Sequence, residues 1–186
     1  PIKNINVYVN FISLIKSNPQ IEKIDISSKE INIDKLKKIF VKTKPSNLNR
    51  LITNKIKNGQ ILINLELYFN NELDVENYIA RGSVQEMSAI IGNNLTLTDT
   101  SFNFFADNSD ILIRNIKSEM DGFLLKNGNL QIVNKKNIII KSEFDTSTNI
   151  GKKNVNNYLA YLKKIKHVNK NVDFKTNLNH NLDITF

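Results

Sequence analysis

A chain of 186 residues with 40% hydrophobic and 24% charged side chains can build a packed core, and suits one ordinary domain or one piece of a larger repetitive protein. It has no cysteine, which excludes a disulfide framework, thiolate metal sites and a cysteine nucleophile. The net charge is +8, yet only three of the 26 basic residues are arginines (Arg50, Arg81 and Arg114), and they are scattered. A sheet that grips phosphate usually exploits the bidentate fork of arginine, so no nucleic-acid partner is expected. With 31 Asn, 27 Ile and 23 Lys, much of the charge is what an AT-rich genome imposes on any protein.

In chain order, period-two alternation dominates. Ile5, Val7, Val9 and Phe11 share one face, then a short turn is expected at Ser13-Leu14-Ile15. Ile24 and Ile26 form a second strand, and Ile31 and Ile33 a third. Asp34 is placed to cap a helical turn carrying Leu36, Ile39 and Phe40. After Pro45, Ser46 is placed to cap a helix with Leu48, Leu51, Ile52 and Ile56 on one side, ending at Gly59. The longest alternation follows: Ile61, Ile63, Leu65, Leu67 and Phe69 against Asn64, Glu66 and Asn70.

Further strands are expected at 75–81, 84–91, 95–99, 102–106, 111–118, 123–126, 130–134, 138–144, 172–178 and 182–186. Asn58-Gly59, Asn70-Asn71, Gly92-Asn93-Asn94, Asp107-Asn108-Ser109, Asp121-Gly122 and Asn127-Gly128 read as the turns. Such short links require antiparallel neighbours. A third helix is expected at 154–166, capped by Asn154 and carrying Val155, Tyr158, Leu159, Leu162 and Ile165. The expected fold is mainly β with a few short helices, a long antiparallel meander forming a curved, groove-like sheet. It divides into strands plus two short helices over 1–58, the meander over 59–145, the helix at 154–166, and the start of further strands at 171–186. Pro1 at the start and the alternation of Leu182, Ile184 and Phe186 at the end read as the cut ends of an internal segment.

No assembled chemistry stands out. His167 and His180 have no Ser or Asp partner at a recognisable spacing, and no phosphate cradle or nucleophile elbow is present. Asp107-Asn108-Ser109-Asp110 clusters oxygen ligands, but turn chemistry accounts for them without calcium. Glu119, Asp121 and Asp145 read as solvated strand positions. Lys163–Lys170 reads as a solvated helix face, with anionic head groups as the alternative. No enzyme, metal or cofactor is expected. A dozen amphipathic strands instead raise a packing problem. Three modest helices cover only part of the apolar face, and the remainder needs a closed core or a ligand.

Residues 5–33 (I-N-V-Y-V-N-F-I-S-L-I-K through S-S-K-E-I-N-I) run strand, Ser-Leu-Ile turn, I-x-x-I-x-I, strand. This order resembles the AsmA-like proteins of double-membrane bacteria. Residues 46–69, S-N-L-N-R-L-I-T-N-K-I-K-N-G-Q-I-L-I-N-L-E-L-Y-F, are similar to the helix–Asn-Gly–strand entry of its YhdP-type branch. A-R-G-S-V at 80–84 and M-D-G-F-L-L-K-N-G-N-L-Q-I-V-N at 120–134 continue the likeness. That branch often carries Trp before the Gly59-type turn, and none is present here.

The resemblance implies a segment of a periplasmic protein anchored in the inner membrane through a segment outside this chain. Its implied work is to shelter phospholipid acyl chains in an apolar β-groove for movement between the inner and outer membranes. On that reading the groove is lined by Ile61, Ile63, Leu65, Leu67, Phe69, Leu95, Leu97, Ile111, Ile113, Leu130 and Ile132. The rival reading is a structural β-rich module, such as a surface or phage-fibre unit, whose apolar face is an ordinary closed core.

Overall fold

The computed structural model describes residues 2–15, 19–40, 47–91, 95–120, 123–134, 138–150 and 174–185. The expected helix at 154–166, His167 and the lysine run lie outside these residues, as do Gly92-Asn93-Asn94 and Asp121-Gly122. The described elements are β1 (Ile2–Val9), α1 (Phe11–Ile15), β2 (Ile21–Ser28), β3 (Ile31–Asn32), α2 (Ile33–Phe40), α3 (Asn47–Asn54), β4 (Ile56–Phe69), β5 (Val75–Ile91), β6 (Leu95–Ala106), β7 (Asp110–Met120), β8 (Phe123–Asn134), β9 (Ile138–Ile150) and β10 (Phe174–Thr185).

The fold is mainly β. Nine strands pair in the order β1-β2-β4-β5-β6-β7-β8-β9-β10, antiparallel throughout, and the sheet does not close on itself. The two-residue β3 pairs with β4 beside β2, so it continues that strand after a break. Ser28 mends the break: its buried Oγ accepts the Ile63 N–H at 2.8 Å, a donor the interrupted ladder would otherwise leave unpaired.

The dozen short strands expected from the sequence are fewer and longer. Residues 75–81 and 84–91 belong to one strand of 17 residues, 95–99 joins 102–106 and 123–126 joins 130–134 in the same way, and the described part of the last two expected strands is one strand, Phe174–Thr185. In β6 and β8 what reads as the end of a strand is a β-bulge, one extra residue that shifts the alternation without ending the pairing, while at 82–83 and 179–181 the ladder runs on with no register shift. Asn127-Gly128 therefore lies inside β8, and Asn58-Gly59 inside β4.

The helix ends also differ from expectation. A backbone donor in the first turn of α2 is satisfied by Asn32, whose Oδ1 accepts the Asp34 N–H at 2.8 Å, while Asp34 pairs with Lys37 at 3.0 Å. Helix α3 ends at Asn54, before Gly59, because Ile56 joins the ladder opposite Ala89. Gly59 is held at φ 142°, with its Cα side close to the Met87 backbone: a Cβ there would sit 3.1 Å from Met87 Cα and 2.8 Å from Ile33 Cδ1. Only glycine fits that backbone and that contact.

The packed core is small. Ile33, Val84, Met87 and Ala89 are buried together, with Ile56, Ile61, Phe102 and Phe104 packed against them. Ile33 comes from the start of α2, so this helix covers one part of the sheet.

A candidate apolar groove

Directly opposed residues of a ladder lie on the same face, so the register maps the two sides of the sheet. Ile5 pairs with Ile26 and Val7 with Ile24; these continue to Leu65 and Leu67. Leu65 faces Ala80, Ile63 faces Gly82 and Ile61 faces Val84. Across β6 follow Ala106, Phe104 and Phe102, then Ile111 and Ile113, then Ile132 and Leu130, and Ile140 lies opposite Ile132. One apolar face thus runs from β1 to β9.

Of the residues expected from the sequence to line a groove, Ile61, Ile63, Leu65, Leu67, Ile111, Ile113, Leu130 and Ile132 fall on this face. Phe69 sits beyond an irregularity, opposite Val75. Leu97 lies opposite Ala89 on the far side of the bulges, and Leu95 pairs with Ile91 in the ladder.

Four bulges keep that face continuous. Glu86, Asp99, Asn115 and Asn127 have φ of 51°, 47°, 57° and 53°, one in each of four successive strands. At each, the residues on the apolar side jump by three positions: Val84 to Met87, Leu97 to Thr100, Ile113 to Ile116, Leu125 to Gly128. The parity of the apolar side switches at each, and the face survives. The signal was present in the sequence, since Asp and Asn tolerate the left-handed conformation and sit where the alternation slips.

At Gly82 the face closes up tightly. A Cβ there would overlap the Leu62 carbonyl oxygen and lie 2.9 Å from Phe104 Cζ, so the Phe104 ring lies over the glycine.

This face is largely uncovered. Among the described residues only five hydrophobic side chains are buried: Ile33, Val84, Met87, Ala89 and Phe123. Ile61, Ile63, Leu65, Leu67 and Phe69 are each half-buried, and Ile5 and Val7 at the edge strand are exposed. A second layer packed on them would bury them.

The opposite face is polar and ion-paired. Lys23 Nζ lies 2.9 Å from Asp25 Oδ1 and 2.8 Å from Glu66 Oε2, and 5.4 Å from the ring centres of both Tyr8 and Tyr68. Glu66 also pairs with Arg81 and accepts the Tyr68 hydroxyl at 2.9 Å. The Lys23–Asp25 hydrogen bond holds the Asp25 carboxyl below, and the Lys23 ammonium above, its ordinary range. Two open depressions of about 480 and 360 Å³ also lie on this polar side and meet at Leu112 and Arg114. Charges of both signs, Lys141, Glu143 and Asp183, border the larger one.

The other polar candidates resolve as turns and strand positions. Asp107 Oδ1 accepts from Asp110 N–H and Ser109 N–H, both at 2.8 Å, and from Ser109 Oγ at 2.9 Å. These donors, the Asp110 amide first, depress its pKa. Glu119 is exposed opposite Thr98, Asp145 accepts from Asn127 Nδ2 at 2.9 Å, and His180 pairs with Phe144 in the ladder. Among the described residues no group of metal-ligating side chains comes together, and no helix is long and apolar enough to cross a membrane.

Comparison of the chain with family models, curated proteins and solved structures found no match.

Proposed function

We propose that this chain is a non-enzymatic segment of an envelope protein that shelters phospholipid acyl chains along its apolar face, as the AsmA-like resemblance implies. The observation that carries the reading is the half-open apolar face running from β1 to β9 of a sheet that does not close. Each methylene held against it and away from water contributes about 0.8 kcal/mol, so a hydrocarbon tail is a sufficient occupant without any covalent step. The bulges support the same reading, because they preserve a single apolar surface over a width no compact core requires. The segment belongs, on this proposal, to a periplasmic protein anchored in the inner membrane, with polar head groups kept in water at the open side.

The test is at Leu65, in the middle of the longest stripe. A photo-crosslinker at position 65 is expected to capture phospholipid in cells, and Leu65→Asp to abolish lipid passage while the sheet stays folded. A variant that unfolds, together with no lipid adduct, would assign the face to a closed core and defeat the proposal.

A further inference from the structure

The apolar face is not uniform from rim to rim. Ladder partners arrange it in rows that cross the strands. The outer row is Leu65, Ala80, Ala106, Ile111, Ile132 and Ile140. None of these is buried, and Ile111 is 39% exposed. Three rows further in stand Met87, Thr100, Ser118, Leu125 and Thr146, joined by ladder pairing and by the Thr100–Ser118 hydrogen bond. Met87, Thr100, Ser118 and Thr146 are buried, and Leu125 is half-buried.

From β5 to β9 every buried residue of the described chain lies on this inner row, on the row before it (Val84 and Gly128) or beyond it (Ala89 and Phe123). Side-chain type does not set the pattern, because three hydroxyl residues are buried while isoleucine is left in water. Buried polar groups beside open apolar ones invert the usual order. The face therefore has a closed half and an open half.

The open half ends on a polar rim. Asn70 Oδ1 accepts the Glu72 and Asp74 N–H groups at 3.0 and 2.9 Å, which shapes the turn between β4 and β5. Asn108 Nδ2 donates to the Glu76 carbonyl at 2.9 Å, bracing the turn between β6 and β7 against β5. Apart from Leu73, the side chains of residues 70–74 and 107–110 are polar.

We infer that the groove opens along this rim and is closed by the inner row, so that an acyl chain lies along the strands. Its head group sits at the two turns and its terminal methyl against Met87 and Thr100. This rests on the hydrocarbon reading above and adds a direction and a depth to it. From the outer row to the row before the closed one the sheet offers Phe102–Ala106, roughly 15 Å of strand at about 3.3 Å per residue. One leaflet of a bilayer's hydrocarbon core, half of about 30 Å, has the same depth. The closed end suits a methyl group, since the Thr100 and Ser118 hydroxyls satisfy each other and leave nothing unpaired.

The chain contains no tryptophan, so a single substitution reports on one row. Ile111→Trp on the outer row and Phe102→Trp next to the closed one are each loaded with phosphatidylcholine brominated near the head group or near the chain end. Ile111→Trp is expected to lose more emission to the first lipid, and Phe102→Trp more to the second. Ile132→Trp and Ile116→Trp repeat the comparison on neighbouring strands and replace the first pair if either of those melts lower than the parent. Equal or reversed quenching overturns the inference while lipid contact itself stands. So does quenching that follows the strand and not the row, which would lay the chain across the strands. No quenching at either row by either lipid removes the hydrocarbon reading, and the inference with it.

Discussion

Thr100 and Ser118 share a hydrogen bond of 2.7 Å between their hydroxyls, across β6 and β7, with Thr100 only 2% exposed. Both lie on the apolar side, where the bulge at Asp99 delivers Thr100 beside Met87. A buried hydroxyl is tolerable only with a partner, and here each has one in the other. Thr100→Val leaves the Ser118 hydroxyl only its longer bonds to the Thr98 and Glu119 carbonyls, at 3.3 and 3.4 Å, and is expected to cost about 1 kcal/mol. Adding Ser118→Ala should recover much of that loss, since removing both partners leaves no unsatisfied group. Chemical denaturation of the two single variants and the double variant closes the cycle.

Gly82 has a stricter requirement. Because the Leu62 carbonyl and the Phe104 ring occupy the space a Cβ needs, Gly82→Ala must push β4 and β5 apart. Overpacking of this kind typically costs about 1–3 kcal/mol. Combining it with Phe104→Leu relieves the ring contact and leaves the carbonyl contact, so only partial recovery of the melting temperature is expected.

Stability should fall at both ends of the pH scale, and the sign follows from the ion pair and the turn. Asp25 and Asp107 have carboxyls depressed in the folded state by the Lys23 hydrogen bond and by the Asp110 and Ser109 donors. Their contribution is complete above the ordinary aspartate value of about 3.9 and is lost as pH drops through the lower folded value. Lys23 is raised by Asp25, so its contribution is complete below the ordinary lysine value of about 10.4 and is lost above it. Asp107→Asn should flatten the acid limb alone, and Asp25→Asn both limbs. Melting temperatures across the pH range check this.

Much of the fold was legible because period-two alternation reports directly on a two-sided sheet. The stripe Ile61 to Phe69 needed no tertiary knowledge, and pairing carried it to Ile111, Ile113, Leu130 and Ile132. The long strands were not legible in the same way. Alternation that slips at Asp99 or Asn127 looks like a strand end, and only pairing with the neighbouring strand distinguishes a bulge from a turn. The cap of α2 was not legible for a related reason, and Ser46 and Asn154 lie outside the described residues. Asn32 and Asp34 are equally good capping chemistry, and which one accepts from the first turn depends on where β3 releases the chain. Helix α1 lay in the sequence as a Ser-Leu-Ile turn, but the burial of Ser13, with its apolar neighbours exposed, depends on Asn10 and Gln20 claiming it.

The bulge row gives the last prediction. Glu86 holds the left-handed conformation at φ 51° with an ordinary side chain, whereas Asp99, Asn115 and Asn127 are residues that adopt it more readily. Its side chain returns little, a single contact of 3.3 Å with Gln60 Nε2 on the exposed side. Glu86→Gly should therefore stabilise the sheet by about 1 kcal/mol, the cost of left-handed backbone for a residue with a Cβ. Asn115→Val, which places a β-branched residue at φ 57°, should destabilise by at least as much. Deleting Asn115 removes the bulge. Ile113 and Ile116 then stand two positions apart, so Ile116, Ser118 and Met120 stay on the apolar face and β7 keeps its pairing with β6 and β8 on both sides of the deletion. The expected result is cooperative unfolding retained with Asn115 deleted as with Asn115→Gly, measured by thermal melts of the two variants side by side; loss of cooperativity on deletion alone would show that the sheet needs the bulge itself.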